Sequence, residues 1–169
     1  MLGWLIGGIA ALDLGIKSEI ERQEADTFPR DLTWGKGWIR LHKNHNSGFP
    51  FGFLKERPEL VKGIPAMVVS AAAGALGVLM LRKGRNTQKL GLALVIGGAI
   101  SNLYDRVRRG YVVDYFTIRW KTLEKVVFNL GDLFVFLGTL VFMLGELFDS
   151  IKELSSSSHP GSRPGRRQP

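Results

Sequence analysis

Residues 97–116 read GGAISNLYDRVRRGYVVDYF, and residues 127–134 read VFNLGDLF. Each holds an aspartate beside a hydrophobic run of near-membrane length, Asp114 in the first and Asp132 in the second. An ionisable side chain there is expensive to keep, because hydrocarbon cannot hydrate it, and it marks a functional site by default. Two of them in one place would form a carboxylate pair that shares a proton and activates water. The fold turns on whether the rest of the chain brings these two together.

Outward from these stretches, the apolar residues gather in four runs, 1–16, 64–81, 90–103 and 133–148. With its flanks each approaches the roughly 17–25 residues of a spanning helix. The second and third runs are rich in Ala and Gly, and small residues let helices approach closely in lipid. A soluble core would need amphipathic helices to cover four such runs, and few remain. The expected fold is mainly α and integral to a membrane, with transmembrane helices at about 1–16, 64–81, 90–104 and 132–148 of a single domain, 1–150. The first run lacks a basic start and carries Asp13, so it reads as a retained helix and not as a cleaved signal peptide.

The formal net charge is +8, and the sequence has no Cys. The basic residues flank apolar runs without any nucleic-acid motif, which makes membrane lipids the expected partner and nucleic acid not. The missing Cys excludes disulfides, thiolate metal sites and a cysteine nucleophile.

Between the first two runs, the alternation of WIRLHK (38–43) predicts a short strand, and GYVVDYF (110–116) predicts another. Together with the Trp residues they suggest a small sheet at the membrane interface. With four spans, the connections after helices one and three emerge on the same side. That side receives Asn46, Gly48, Asp105, Asp114, Asn129 and the start of helix four at Asp132. The opposite side holds a short basic loop, RKGRNTQK (82–89), and a basic tail, 151–169, expected to be disordered. Basic density in that loop leans towards cytoplasmic termini and an extracytoplasmic sheet, although the positive-inside count is not decisive.

Asn102 and Asp105 lie three residues apart on one helix face, where Arg106 adds a charged donor. Asn129 is a candidate N-cap that would put Asp132 in the first helical turn, where the dipole favours a carboxylate. Capping would account for those two residues but not for Asp114 in its strand. Asp13 and Lys17 are one turn apart, and a plain ion pair and a functional role are both open for them. Ser47 near His42 and His45 lacks a nucleophile elbow. No metal-ligand spacing occurs, so neither a metal nor a cofactor is expected.

Taken in order, these motifs resemble the lipoprotein signal peptidase family (signal peptidase II), the membrane aspartic peptidases of bacteria. Asp13 and Lys17 match its D-x-x-x-K, and Asn46, Gly48, Phe51 and Gly52 match its Asn-x-Gly-x-x-Phe element. Gly97, Gly98, Asn102, Asp105, Arg106, Gly110, Val113 and Asp114 match the long G-G-x-x-x-N-x-x-D-R-x-x-x-G-x-V-x-D motif, and Phe128, Asn129 and Asp132 match F-N-x-x-D. Ser101 stands where the family usually has Gly, Gly131 where it usually has Ala, and Phe49-Pro50 where small residues are usual.

The resemblance implies a metal-independent endopeptidase that removes the signal peptide of diacylglyceryl-modified prolipoproteins, cutting before the lipidated cysteine. It implies Asp114 and Asp132 as catalytic, with Asn46, Gly48, Asn102, Asp105, Arg106 and Asn129 binding substrate or supporting the site. It also implies a multi-pass protein of the bacterial inner membrane, acting as a monomer. The alternatives are a catalytically inactive relative that binds lipoproteins and, further off, a Mg²⁺-dependent membrane transferase.

Overall fold

The computed structural model describes residues 1–48, 54 and 56–157; the expectations for Phe49, Pro50, Phe51, Gly52 and the tail from 158 onwards lie outside the described residues. Four long helices are present: α1 (Leu2–Arg22), α2 (Pro58–Met80), α3 (Asn86–Arg108) and α4 (Leu130–Ser157). Strands β1 (Arg30–Asp31), β2 (Ile39–Asn46) and β3 (Val112–Ile118) form one antiparallel sheet in the order β1-β2-β3.

Every helix outruns its apolar core, because the end signals lie in polar sequence. Pro58 opens α2 at a position where its missing N–H costs nothing. Lys43 of β2 closes α1 by donating to the carbonyls of Glu21 and Gln23, both at 2.9 Å. Gly110, in the left-handed region at φ +84, turns the chain out of α3 and into β3. α4 runs to Ser157, so residues 151–157 of the expected disordered tail are helical. No Gly or Pro interrupts the chain between Gly145 and Ser157, so no breaker stops the helix over that stretch.

α3 is the central helix and packs against α1, α2 and α4, whereas α2 and α4 barely touch one another. Among the described residues only α2 and α4 are long and apolar enough by composition to cross a membrane, over Pro58–Met80 and Leu130–Ser156. α1 and α3 fall short because they carry Asp13, Lys17, Gln88, Ser101, Asp105 and Arg106, all of which are buried. Large apolar side chains face outward around the bundle, among them Trp4, Met67, Phe136, Met143 and Phe148. Such a belt needs a non-aqueous surrounding.

The sheet rests on the end of the bundle through Val113, Tyr115 and Phe116, which pack with Ile20 of α1. β3 is buried on both faces, so its alternation sends Tyr115 towards α1 while Asp114 faces the other way.

The α3–α4 contact depends on missing side chains. A methyl at Gly91 would come within 2.6 Å of the Phe142 backbone nitrogen, and one at Gly138 within 2.6 Å of the Gly91 carbonyl oxygen. Neither backbone can retreat without separating the helices. Gly74 on α2 has nothing within 4 Å of the added carbon. Gly91→Ala should therefore cost about 1–3 kcal/mol by overpacking, while Gly74→Ala should be neutral or gain up to about 1 kcal/mol from helix propensity. Thermal unfolding in detergent would reverse this assignment if Gly74→Ala proved the weaker protein.

Candidate active site

Asp114 and Asp132 reach one site from different elements, and Asn129 joins them. The Phe128 backbone pairs with β3, its carbonyl accepting from Tyr115 and Phe116 and its N–H donating to the Phe116 carbonyl. This fixes Asn129 immediately before α4. The Asn129 Oδ1 accepts from the Asp132 N–H at 2.9 Å, and Asp132 Oδ2 accepts from the Asn129 N–H at 3.2 Å. That reciprocal arrangement is a capping box. The Asn129 side-chain amide is left to donate to Asp114 Oδ1 at 2.7 Å. Capping and site-building are thus one set of bonds.

Two further asparagines complete the shell. Asn46, at the end of β2, donates to Asp114 Oδ2 at 3.1 Å, and Asn102, on α3, donates to Asp132 Oδ1 at 2.8 Å. The carbonyl of each asparagine is held by a donor: Gly48 N–H on Asn46 at 3.1 Å, Asp132 N–H on Asn129, and Lys17 Nζ on Asn102 at 2.7 Å. A carbonyl so engaged leaves only the NH₂ to face the carboxylate. All four aspartate oxygens therefore receive an N–H donor from Asn46, Asn102 or Asn129.

Arg106 donates to the Gly48 carbonyl at 3.0 Å, bracing the segment that carries Asn46, and its charge lies in the field of both aspartates. Asp105 does not line the cavity. It pairs with Arg109 at 2.8 Å and Lys17 at 3.3 Å, and accepts the Val113 N–H at 3.1 Å, anchoring β3 next to Asp114.

Asp13 and Lys17 are fully buried and pair at 2.8 Å. Asp13 also accepts from Tyr115 Oη at 2.9 Å and from the Leu130 N–H at 3.1 Å, so an anion sits at the positive end of α4. Ser101 donates to Asp13 at 2.5 Å and accepts from Lys17 at 3.2 Å. Sequence reasoning missed Ser101 and Tyr115 as parts of this network. Their signals were faint: a hydroxyl beside Asn102, and a tyrosine one strand position past Asp114.

A cavity of about 1000 Å³ opens on this shell. Asn46, Asn102, Arg106, Asp114 and Asp132 line one part, and Ile64, Val68, Phe136, Leu140 and Met143 continue it between α2 and α4. Among the described residues no three His, Cys, Asp or Glu side chains gather as a metal site would. Burial pushes the Asp114 carboxyl up from the ordinary 3.8 to about 6, with a further push from Asp132, against the hydrogen bonds of Asn129 and Asn46.

Comparison with known proteins gives the family. The family profile described as Signal peptidase (SPase) II matches residues 5–148. The chain belongs to the signal peptidase II family. A lipoprotein signal peptidase of Brucella ovis is 34% identical over 141 residues, covering 80% of this chain and 82% of that protein. One of Pseudomonas fluorescens is 29% identical over 154 residues, covering 89% and 90%. Two solved structures of bacterial membrane enzymes share the fold. One has a TM-score of 0.72 at 18% identity over 86% of this chain and 92% of that one, the other 0.69 at 16% over 98% and 94%. As a family member the chain is an aspartic peptidase of a membrane, and it removes signal peptides from prolipoproteins.

The environment of Asp114 has a thermodynamic consequence. Between about pH 4 and 6 the unfolded chain has lost this proton while the folded chain still binds it. Folding then binds the extra proton, so this group costs stability as pH rises through that window, and the cost is constant above it. Asp114→Asn removes the titration. Relative to wild type, the variant should gain stability from about pH 4 to 6, by at most roughly 3 kcal/mol, and then level off. The fixed effect of one misdirected amide does not alter that slope. Melting temperatures of both proteins across this range check it, and a flat difference would count against a raised Asp114.

Proposed function

We propose that Asp114 and Asp132 are the catalytic pair of this peptidase, and that the cut falls just before the diacylglyceryl-modified cysteine of the prolipoprotein. The observation that carries this reading is the pair's place in a cavity that is lined mainly by apolar side chains, Ile64, Pro65, Val68, Phe136, Leu140 and Met143, where it runs between α2 and α4. A polar cutting point continuous with an apolar trough suits a substrate that is part peptide and part lipid. In the reactive form one aspartate is ionised and the other protonated, since a like charge in the same site disfavours ionising both.

The ionised carboxylate takes a proton from water as the water oxygen attacks the scissile carbonyl carbon. The protonated partner gives its proton to the carbonyl oxygen. On collapse the C–N bond breaks, the hydroxyl proton returns to a carboxylate, and the leaving nitrogen receives the proton taken from water. The two groups titrate as one unit. Asn46, Asn102 and Asn129 hold both carboxylates in place through neutral donors, while Gly48, Asp105 and Arg106 support them.

All four helices span the membrane in this reading, including α1 and α3, whose polar residues turn inward. The sheet and the aspartates lie on the extracytoplasmic side of the bacterial inner membrane, and the termini and the basic 82–89 loop on the cytoplasmic side. The protein acts as a monomer surrounded by lipid.

Purified protein incubated with a lipidated and an unlipidated prolipoprotein, read by mass shift, tests the substrate class; equal cleavage of both would remove the lipid requirement. Asp114→Asn and Asp132→Asn should each abolish cleavage while the protein remains folded. The double variant should be no worse, because the pair acts as one unit. A single variant keeping more than about a tenth of the rate would take that residue out of the pair. EDTA should leave the rate unchanged, and activity lost to chelator and restored by a divalent ion would turn the reading towards a metal site.

A further inference from the structure

Asn102 differs from the other two asparagines in what fixes it. Backbone N–H groups hold the carbonyls of Asn46 and Asn129, but a buried cation holds that of Asn102. Lys17 is not among the residues lining the cavity, and its side chain is fully buried. Its ammonium is donor-only, so the Asn102 atom 2.7 Å away is the carbonyl oxygen and the NH₂ is directed at Asp132 Oδ1. Without that cation either amide orientation becomes available, and the flipped one sets a carbonyl oxygen against the carboxylate.

The ammonium itself is held from several sides. Asp13 lies on its own helix one turn back at 2.8 Å, while Asp105 at 3.3 Å and Ser101 Oγ at 3.2 Å come from α3. This fixes Nζ behind Asn102, on the side away from the cavity.

We infer that Lys17 is a positioning residue of the peptidase reaction, acting on Asp132 by locking the Asn102 amide as a donor. The inference rests on the reading of Asp114 and Asp132 as the catalytic pair. The competing role is purely structural, in which Lys17 only neutralises Asp13 and Asp105. Either role predicts damage when Lys17 is lost, but only positioning predicts that the damage passes through Asn102.

A double-mutant cycle separates them. Lys17→Met, Asn102→Ala and the double variant are purified, their folded fractions measured, and kcat and KM determined on a lipidated prolipoprotein peptide. Each single variant should lower kcat by about a hundredfold, the scale of losing one aimed donor, with KM within about twofold. The double variant should fall within about twofold of the slower single one. Losses that multiply, or a Lys17→Met enzyme with unchanged kcat, overturn the inference.

Should Lys17→Met fail to fold because a carboxylate is left unmatched, the cycle is run on Asp13→Asn. There Asp105 remains matched by Arg109, and the new amide oxygen still accepts from Tyr115 and the Leu130 N–H. The criteria are the same. An Asp132→Asn control keeps the two readings apart: if it cleaves, the catalytic-pair reading fails, and if it is dead while the losses multiply, only the role of Lys17 fails.

Discussion

Two carboxylates removed from water must be stabilised without being neutralised, and the rest of the site follows from that constraint. A cation bonded directly to either aspartate would give a charge-assisted pair, roughly twice as strong as a neutral bond. It would favour full ionisation of both and, in the proposed reaction, leave no proton to share. Neutral amides stabilise the charge without demanding it. They are useful only if they face the right way, since an asparagine turned over presents an acceptor. Hence each amide carbonyl has its own donor, from Gly48, Asp132 or Lys17. The cations Lys17 and Arg106 act one bond further back, through Asn102 and through the Gly48 carbonyl.

The same economy governs the layer beneath. Asp13 and Asp105 are matched by Lys17 and Arg109, so this buried cluster is close to neutral. Asp13 also takes the Leu130 N–H, joining α1, α3, β3 and the start of α4 at one node through Lys17, Ser101 and Tyr115. No buried side-chain nitrogen or oxygen among the described residues lacks a partner. Such a cluster resists partial removal, because deleting one member strands another; breaking a buried pair this way costs on the order of 3–5 kcal/mol. Fold and site therefore share their polar contacts, and a change in one propagates to the other.

Much of this was legible in the sequence. The strands in WIRLHK and GYVVDYF, the N-cap at Asn129 and the convergence of Asn46, Asp114, Asn129 and Asp132 follow from periodicity, capping rules and connectivity. What periodicity could not show was depth. Alternation describes only one face of β3, yet the bundle covers both. Asp13 and Lys17 read equally well as a helix-end ion pair, since spacing of one turn says nothing about what packs over them. Helix ends were set too short, because hydropathy stops where capping and periodicity continue, as in the 151–157 segment of α4. The Ser101 and Gly131 departures from family usage also gain meaning only in three dimensions. Ser101 bridges Asp13 and Lys17, and a methyl at Gly131 would approach both Asp13 Oδ2 and the Gly98 carbonyl at 2.9 Å.

The distribution of glycines bears on access to the cavity. Gly91 and Gly98 on α3 meet α4, and Gly97 meets Ile9 of α1, at separations that exclude a side chain. A methyl added at Gly63, Gly74 or Gly77 on α2 would meet nothing within 4 Å. Three helices are therefore locked into one close-packed unit, and α2 leans on α3 without sealing against α4. The unsealed side is where Ile64, Val68, Leu140 and Met143 line the cavity and where large apolar side chains face outward. In the proposed function, a substrate with an apolar, membrane-embedded portion would meet the aspartates from the side of the bundle, between α2 and α4. Close packing on the other faces holds the two aspartates in place, while loose packing on this one leaves the cavity open.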